Sequence, residues 1–177
     1  MKVPAFVLGA LAMLAPLAAD AAVSALGLDA NAKYLSDYQH TRGVFTLPSG
    51  VAYKILHTGF GRRPASTDMV TVNYTGALIN GTVFDGTEPG LPAQYKVNAL
   101  IPGWTQALQM MREGDHWQIV IPAEQAYGTR GAGGGAIPPN QVLVFDLTLI
   151  KVDTPKEQPK DPNDTSDDTR GNGGYGP

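Results

Sequence analysis

The sequence predicts an α+β fold in which an antiparallel half-barrel sheet wraps around one short amphipathic helix. Three observations carry this. Short apolar runs alternating with a period of two recur from Val51 onward. Asn80-Gly81 stands between two such runs as a hairpin-forming dipeptide. One segment, Pro102 to Gly114, places its apolar residues at helical spacing. A sheet with an apolar face needs a cover, and this helix is the only core segment suited to that role.

In chain order, Met1-Lys2, the apolar run Val3 to Ala19 and the small-residue exit Ala19-Asp20-Ala21 form the pattern of a secretory signal cut before Ala22. A retained membrane-spanning helix is the alternative. Pro4, Gly9 and Pro16 and the lack of a basic stop-transfer cluster argue against it. Residues 22–42 are a lead-in in which Asp29 is expected to cap a brief helix through His40, with Tyr34 and Tyr38 on one face. Val51 to His57 is a strand closed by Gly59-Phe60-Gly61. Met69 to Ile79 is another, with Val70, Val72 and Tyr74 on one face and Thr71, Asn73 and Thr75 on the other. Asn80-Gly81 predicts a two-residue type I′ turn into a return strand, Thr82 to Asp85.

Ile101, Trp104, Leu108 and Met111 share a helix face that Pro102 starts and Gly114 ends. Two further strands follow: Trp117 to Ile121, stopped by Pro122, and Val142 to Ile150, with Leu143, Phe145, Leu147 and Leu149 on one side. From Asp153 to Pro177 the composition is polar and too poor in apolar residues to offset the entropy of ordering, which predicts a disordered tail. The expected organisation is a signal at 1–21, a lead-in at 22–42, one domain at 43–152 and the tail at 153–177.

Composition narrows the function classes. With 43% hydrophobic and 16% charged residues, the 177-residue chain is not disordered throughout. The absence of Cys excludes a disulfide scaffold, thiolate metal sites and a cysteine nucleophile. A net charge of −3 advertises no basic surface, so nucleic-acid binding is not expected. His40, His57 and His116 form no ligand pair, which argues against zinc, and no G-x-S-x-G elbow is present. Gly131 to Ala136 meets G-x-G-x-x-A, but Ile137-Pro138-Pro139 follows where a nucleotide site needs a helix N-terminus, so a mobile loop is expected. Neither a metal nor a cofactor is expected. Asp85 and Glu88, beside Gly86 and Pro89, are better loop residues than a carboxylate pair for glycoside hydrolysis. Tyr74, Phe84, Trp104, Tyr127 and Phe145 all fall on elements facing the gap between sheet and helix; a plain core is the other reading of the same residues.

Six ordered segments carry a resemblance. They are Val70-Thr71-Val72-Asn73-Tyr74-Thr75-Gly76, Asn80-Gly81-Thr82-Val83-Phe84-Asp85, Leu100-Ile101-Pro102-Gly103-Trp104, Ile121-Pro122 to Ala126-Tyr127-Gly128, Ile137-Pro138-Pro139 and Leu143-Val144-Phe145-Asp146. Together they resemble the FKBP-type peptidyl-prolyl cis/trans isomerases, the macrolide-binding immunophilins, over essentially all of 43–152. Leu47-Pro48-Ser49-Gly50 is similar to the lead-in of exported bacterial members.

The resemblance implies a half-barrel curled around a short helix, with an apolar cleft as active site. It places Trp104 at the cleft floor, Tyr74, Phe84 and Phe145 as walls, Leu100 and Ile101 beside them, and Ile137 in a flap. Asp85 and Tyr127 are the polar members, and the Ile101 amide and Tyr127 hydroxyl are the implied donors to ligand carbonyls. It further implies proline-containing polypeptides as substrates, macrolides as inhibitors, a part in folding exported proteins, and the periplasm as location. A peptide-binding chaperone with little turnover is the alternative, and a degenerate structural domain is a third. Exported relatives often dimerise through a long N-terminal helical arm, for which the ~20 residues after the expected cut are too few, so a monomer is expected. Two departures bear on substrate preference and macrolide affinity. Ala93 stands where many members carry another aromatic wall, with Tyr95 nearby, and the flap at 131–136 is longer and richer in glycine.

Overall fold

The computed structural model describes residues 26–154; the expected signal and the tail from 155 on lie outside the described residues. Seven antiparallel strands form one sheet: β1 (Val44–Thr46), β2 (Ala52–His57), β3 (Met69–Leu78), β4 (Val83–Gly86), β5 (Ala93–Lys96), β6 (His116–Ile121) and β7 (Leu143–Asp153). Their order is β1-β2-β6-β7-β3-β4, with β5 also paired to β3. The free edge of β3 is shared: Thr75 to Ala77 take β4, and Met69 to Val72 take β5. Helix α1 (Leu28–Gln39) precedes the sheet, and α2 (Pro102–Met110) crosses its concave face.

The period-two strands bury their alternate residues as their patterns require. Val70, Val72 and Tyr74 on β3, Trp117, Ile119 and Ile121 on β6, and Leu143, Phe145, Leu147 and Leu149 on β7 enclose Trp104, Ala107 and Leu108 of α2. A bulge opposite Thr71/Val72 adds Ile150 to β7, leaves it exposed and returns Val152 to the interior. The helix approaches the sheet closely because Gly103 faces Ile121, where a Cβ would sit 2.4 Å from a side-chain carbon.

Four details differ from the sequence expectations. The hairpin after β3 is not type I′: Asn80 has no positive φ, Gly81 does (+85°), and Gly81 N donates to Leu78 O at 2.9 Å. The loop is therefore three residues long with glycine in the left-handed position, a form that also suits Asn-Gly. Helix α2 ends at Met110, not at Gly114; Met111, at the cap position, turns inward and is fully buried. The lead-in helix is a full element whose cap is Gly27, while Asp29 lies in its first turn. Finally, β7 continues through Asp153, and Arg62 reaches Thr154, so the order extends past the expected start of the tail.

Two short strands, β1 and β5, were not expected; at three and four residues they are too brief for periodicity to reveal. No helix among the described residues is long and apolar enough to cross a membrane.

Candidate active site

Trp104 sits on the first turn of α2, where Pro102 fixes φ and removes a donor that has no helical partner anyway. Three rings meet its indole edge to face: Tyr74 at 5.1 Å and 89°, Phe145 at 5.2 Å and 86°, and Tyr95 at 6.3 Å and 88°. Phe84 stands at 5.7 Å and 89° on Phe145. Such perpendicular contacts match the ring quadrupoles and hold each ring in one orientation. Gly76 makes the cluster possible, since a Cβ there would lie 2.6 Å from the Phe145 ring and 2.8 Å from that of Phe84.

These rings do not fill the space between them. A cleft of about 160 Å³ is lined by Tyr74, Phe84, Asp85, Tyr95, Leu100, Ile101, Trp104, Tyr127 and Phe145. That is below the about 300–1,000 Å³ of sites for drug-sized ligands, and suits a single ring with its peptide group. Eight of the nine site residues expected from sequence are therefore assembled here. The ninth, Ile137, does not line this cleft: its side chain is buried in the main core, and its backbone pairs with Ala132 through bonds of 2.9 and 3.1 Å. That pairing closes the glycine-rich segment into a small loop, with Gly131 at φ +66°, where an added Cβ would fall 2.3 Å from Ile137 O. Tyr95, noted in the sequence beside Ala93 but not counted among the site residues, lines the cleft as well, because its pairing with Val70 turns it inward. Ala93 packs against the core and does not line the cleft.

The polar groups form a directed chain. Tyr74 Oη donates to Asp85 Oδ2 at 2.7 Å, so at 3.1 Å the hydroxyl of Tyr95 donates to Tyr74 Oη. Asp85 Oδ1 accepts Gly86 N at 2.9 Å. Thr87 locks the backbone beneath: its Oγ1 accepts Tyr74 N at 3.1 Å, and its N donates to Tyr74 O at 2.9 Å. The N–H of Ile101, which caps α2, and the hydroxyl of Tyr127 at the cleft mouth have no hydrogen-bond partner among the described residues.

Burial, then the bonds with Tyr95 and Asp85, raises the Tyr74 phenol well above its usual value. Tyr127 is raised by burial and next by the charge of Asp85. Burial, followed by neighbouring Tyr34, pushes Tyr38 up to about 12. A raised value means that the folded chain keeps a proton the unfolded chain releases. The linked stability is complete below pH ~10 and is lost as pH rises through the folded values. Unfolding free energy is thus expected to fall only above pH ~10, with the Tyr74 phenol intact until the fold opens. Tyrosinate absorbance followed alongside denaturant unfolding checks this; a stability loss beginning near pH 8 would contradict it.

The family model of the FKBP-type peptidyl-prolyl cis-trans isomerase matches residues 61–150. The chain is 50% identical over 120 residues to the outer membrane protein MIP of Legionella longbeachae, covering 67% of this chain and 51% of that protein. It is 46% identical over 121 residues to the FKBP-type 22 kDa peptidyl-prolyl cis-trans isomerase of Escherichia coli, covering 68% and 58%. The chain spans about half the length of the curated relatives it matches. Among solved structures, a peptidyl-prolyl cis-trans isomerase from Pseudomonas syringae superposes with a TM-score of 0.68 at 37% identity, over 72% of this chain and 93% of that one. FkpA from Escherichia coli gives 0.67 at 37% identity, over 77% and 61%.

Proposed function

The chain belongs to the FKBP-type peptidyl-prolyl cis-trans isomerases, and from that premise we propose that residues 43–152 catalyse rotation about X-Pro bonds in proline-containing polypeptides. We read residues 1–21 as an export signal, the periplasm as the working compartment, exported proteins as clients, macrolides as competitors for the cleft, and the mature protein as a monomer. The observation that carries the isomerase reading is the aromatic cleft over Trp104 with unpaired donors at Ile101 N and Tyr127 Oη.

Rotation about a peptide C–N bond meets a barrier of ~18–20 kcal/mol because the planar amide is resonance-stabilised. At the perpendicular transition state the resonance is lost and charge separation across O=C–N falls. Water favours the dipolar planar form over the twisted one. Seating the prolyl ring against Trp104, Phe84, Tyr74 and Phe145 removes that water and keeps the ring still while the acyl side turns. No nucleophile acts, and no bond to carbon breaks. The Tyr95–Tyr74–Asp85 chain holds the walls apart and keeps the Asp85 carboxylate facing the rotating group. Ile101 N and Tyr127 Oη fix the register of the peptide by taking its carbonyl oxygens. Each 1.36 kcal/mol of preference for the twisted form is about tenfold in rate.

A protein that leaves X-Pro exchange in a short peptide at its uncatalysed rate would end this reading; suppression of client aggregation in such a protein would favour a binding module instead. Tyr127→Phe is expected to raise KM about 2- to 10-fold with kcat little changed, the worth of one hydrogen bond to a ground-state carbonyl. A fall in kcat at constant KM would instead make that hydroxyl part of the turnover step.

A further inference from the structure

We infer that Asn31, on the N-terminal helix and outside the matched family segment, is a positioning residue that holds the flap and, through it, Tyr127. The inference rests on the isomerase reading for its kinetic consequence, and on the hydrogen-bond geometry for the rest. Asn31 is 3% exposed, the one buried residue of a three-turn helix, and a primary amide is tolerated at that depth because both its oxygen and its nitrogen are hydrogen-bonded. Its Nδ2 donates to Leu26 O at 2.9 Å, Gly27 O at 3.0 Å and Gln141 Oε1 at 3.3 Å, while its Oδ1 accepts Val142 N at 2.8 Å. Gln141, 4% exposed, donates in turn to Leu26 O at 3.1 Å and Pro139 O at 3.0 Å.

The contacts lie where the flap returns to the sheet. Residues 128–140 leave and rejoin the body at a neck where Asn140 N donates to Gly128 O at 2.8 Å. Asn140 is the one non-glycine residue among those described with positive φ, at 59°. Gln141 and Val142, held by Asn31, follow it directly. Across the neck, Gly128 follows Tyr127, whose ring lines the cleft. Helix capping alone does not account for this arrangement, because the Oδ1 bond spans 111 residues of sequence to the far limb of the flap. With Asn31 removed, the Val142 amide and Gln141 carbonyl lose their partners, the neck is free to open, and Tyr127 loses its fixed place. Because Tyr127 acts on the bound peptide and not on the rotating bond, the loss appears in KM.

The test compares Asn31→Ala and Asn31→Asp with Lys33→Ala, an exposed change on the same helix. For a short proline peptide, both Asn31 variants are expected to raise KM about 5-fold or more with kcat within about 2-fold, and Lys33→Ala to leave both unchanged. Hydrogen exchange at the Asn140 amide is expected to quicken about 10-fold or more in the Asn31 variants, with β6 and β7 amides unaffected. Folded Asn31 variants with wild-type KM and wild-type Asn140 exchange overturn the inference. Should neither variant fold, native-state exchange of the unmutated protein decides: Asn140 and Val142 are expected to open together with α1, and Asn140 opening while α1 stays closed overturns it. A wild-type protein without isomerase activity ends the functional reading alone, and exchange at Asn140 then judges the tether by itself.

Discussion

Phe84→Ala is expected to lower kcat/KM for X-Pro exchange about 30- to 100-fold in a protein that remains folded. The ring is half-buried on a four-residue edge strand, touches Phe145 edge to face and forms one wall of the cleft. An aromatic side chain buries 150–250 Å² when fully covered, and at about 25 cal/mol per Å² the portion a prolyl ring covers, together with readmitted water, corresponds to about 2–2.7 kcal/mol. That energy converts to the stated rate loss. Stability should fall only by about 1 kcal/mol, because a partly exposed ring at an edge leaves little cavity. Steady-state exchange kinetics with circular dichroism on the same samples measure both. A folded Phe84→Ala protein with wild-type kcat/KM would remove the apolar environment from the mechanism.

The largest stability effect is expected at a residue remote from the cleft. Asp115, 4% exposed, accepts Gly59 N at 2.6 Å and Arg112 N at 2.7 Å, and its backbone oxygen accepts Leu149 N at 2.9 Å. One carboxylate thus joins the exit of β2 to the loop after α2, and the main chain of the same residue ties that loop to β7. The packing leaves water no room to replace it, since even a Cβ on Gly59 would fall 2.2 Å from Glu113 O. Asp115→Ala orphans two buried N–H groups and should cost about 3–5 kcal/mol. For a fold of this size that lowers Tm by about 10–20 °C. Asp115→Asn keeps one acceptor and should lose roughly half as much. Thermal unfolding gives the answer, and a Tm for Asp115→Ala within about 2 °C of wild type would show the carboxylate to be dispensable.

What could be foreseen follows the length scale of each signal. Strands β3 and β7 exceed four pleats, and α2 repeats its apolar face over more than two turns, so periodicity exposes them and with them the rings they carry. Phe84 and Asp85 came within reach through the hairpin that precedes them, even though its turn type was different. The direction of the Tyr95 ring stayed open because a four-residue strand shows one alternation, indistinguishable from a loop. Ile137 was expected at the cleft, but its buried position depends on the Ala132 pairing, a contact between two irregular segments. Asn31, Gln141 and Asp115 are common polar residues, and only three-dimensional enclosure separates them from solvated ones. Long-range polar bonding leaves no trace in local patterning.

Helix α2 is capped by Ile101, whose own amide N–H finds no partner among the described residues. On the proposed reading, a visiting peptide's carbonyl finishes what the chain leaves open at the base of its own cleft. Occupancy and thermal resistance are then one equilibrium viewed twice: client at a hundred times its dissociation constant adds about 2.7 kcal/mol to the fold. A folding assistant constructed this way is sturdiest when it has work, and least so when idle.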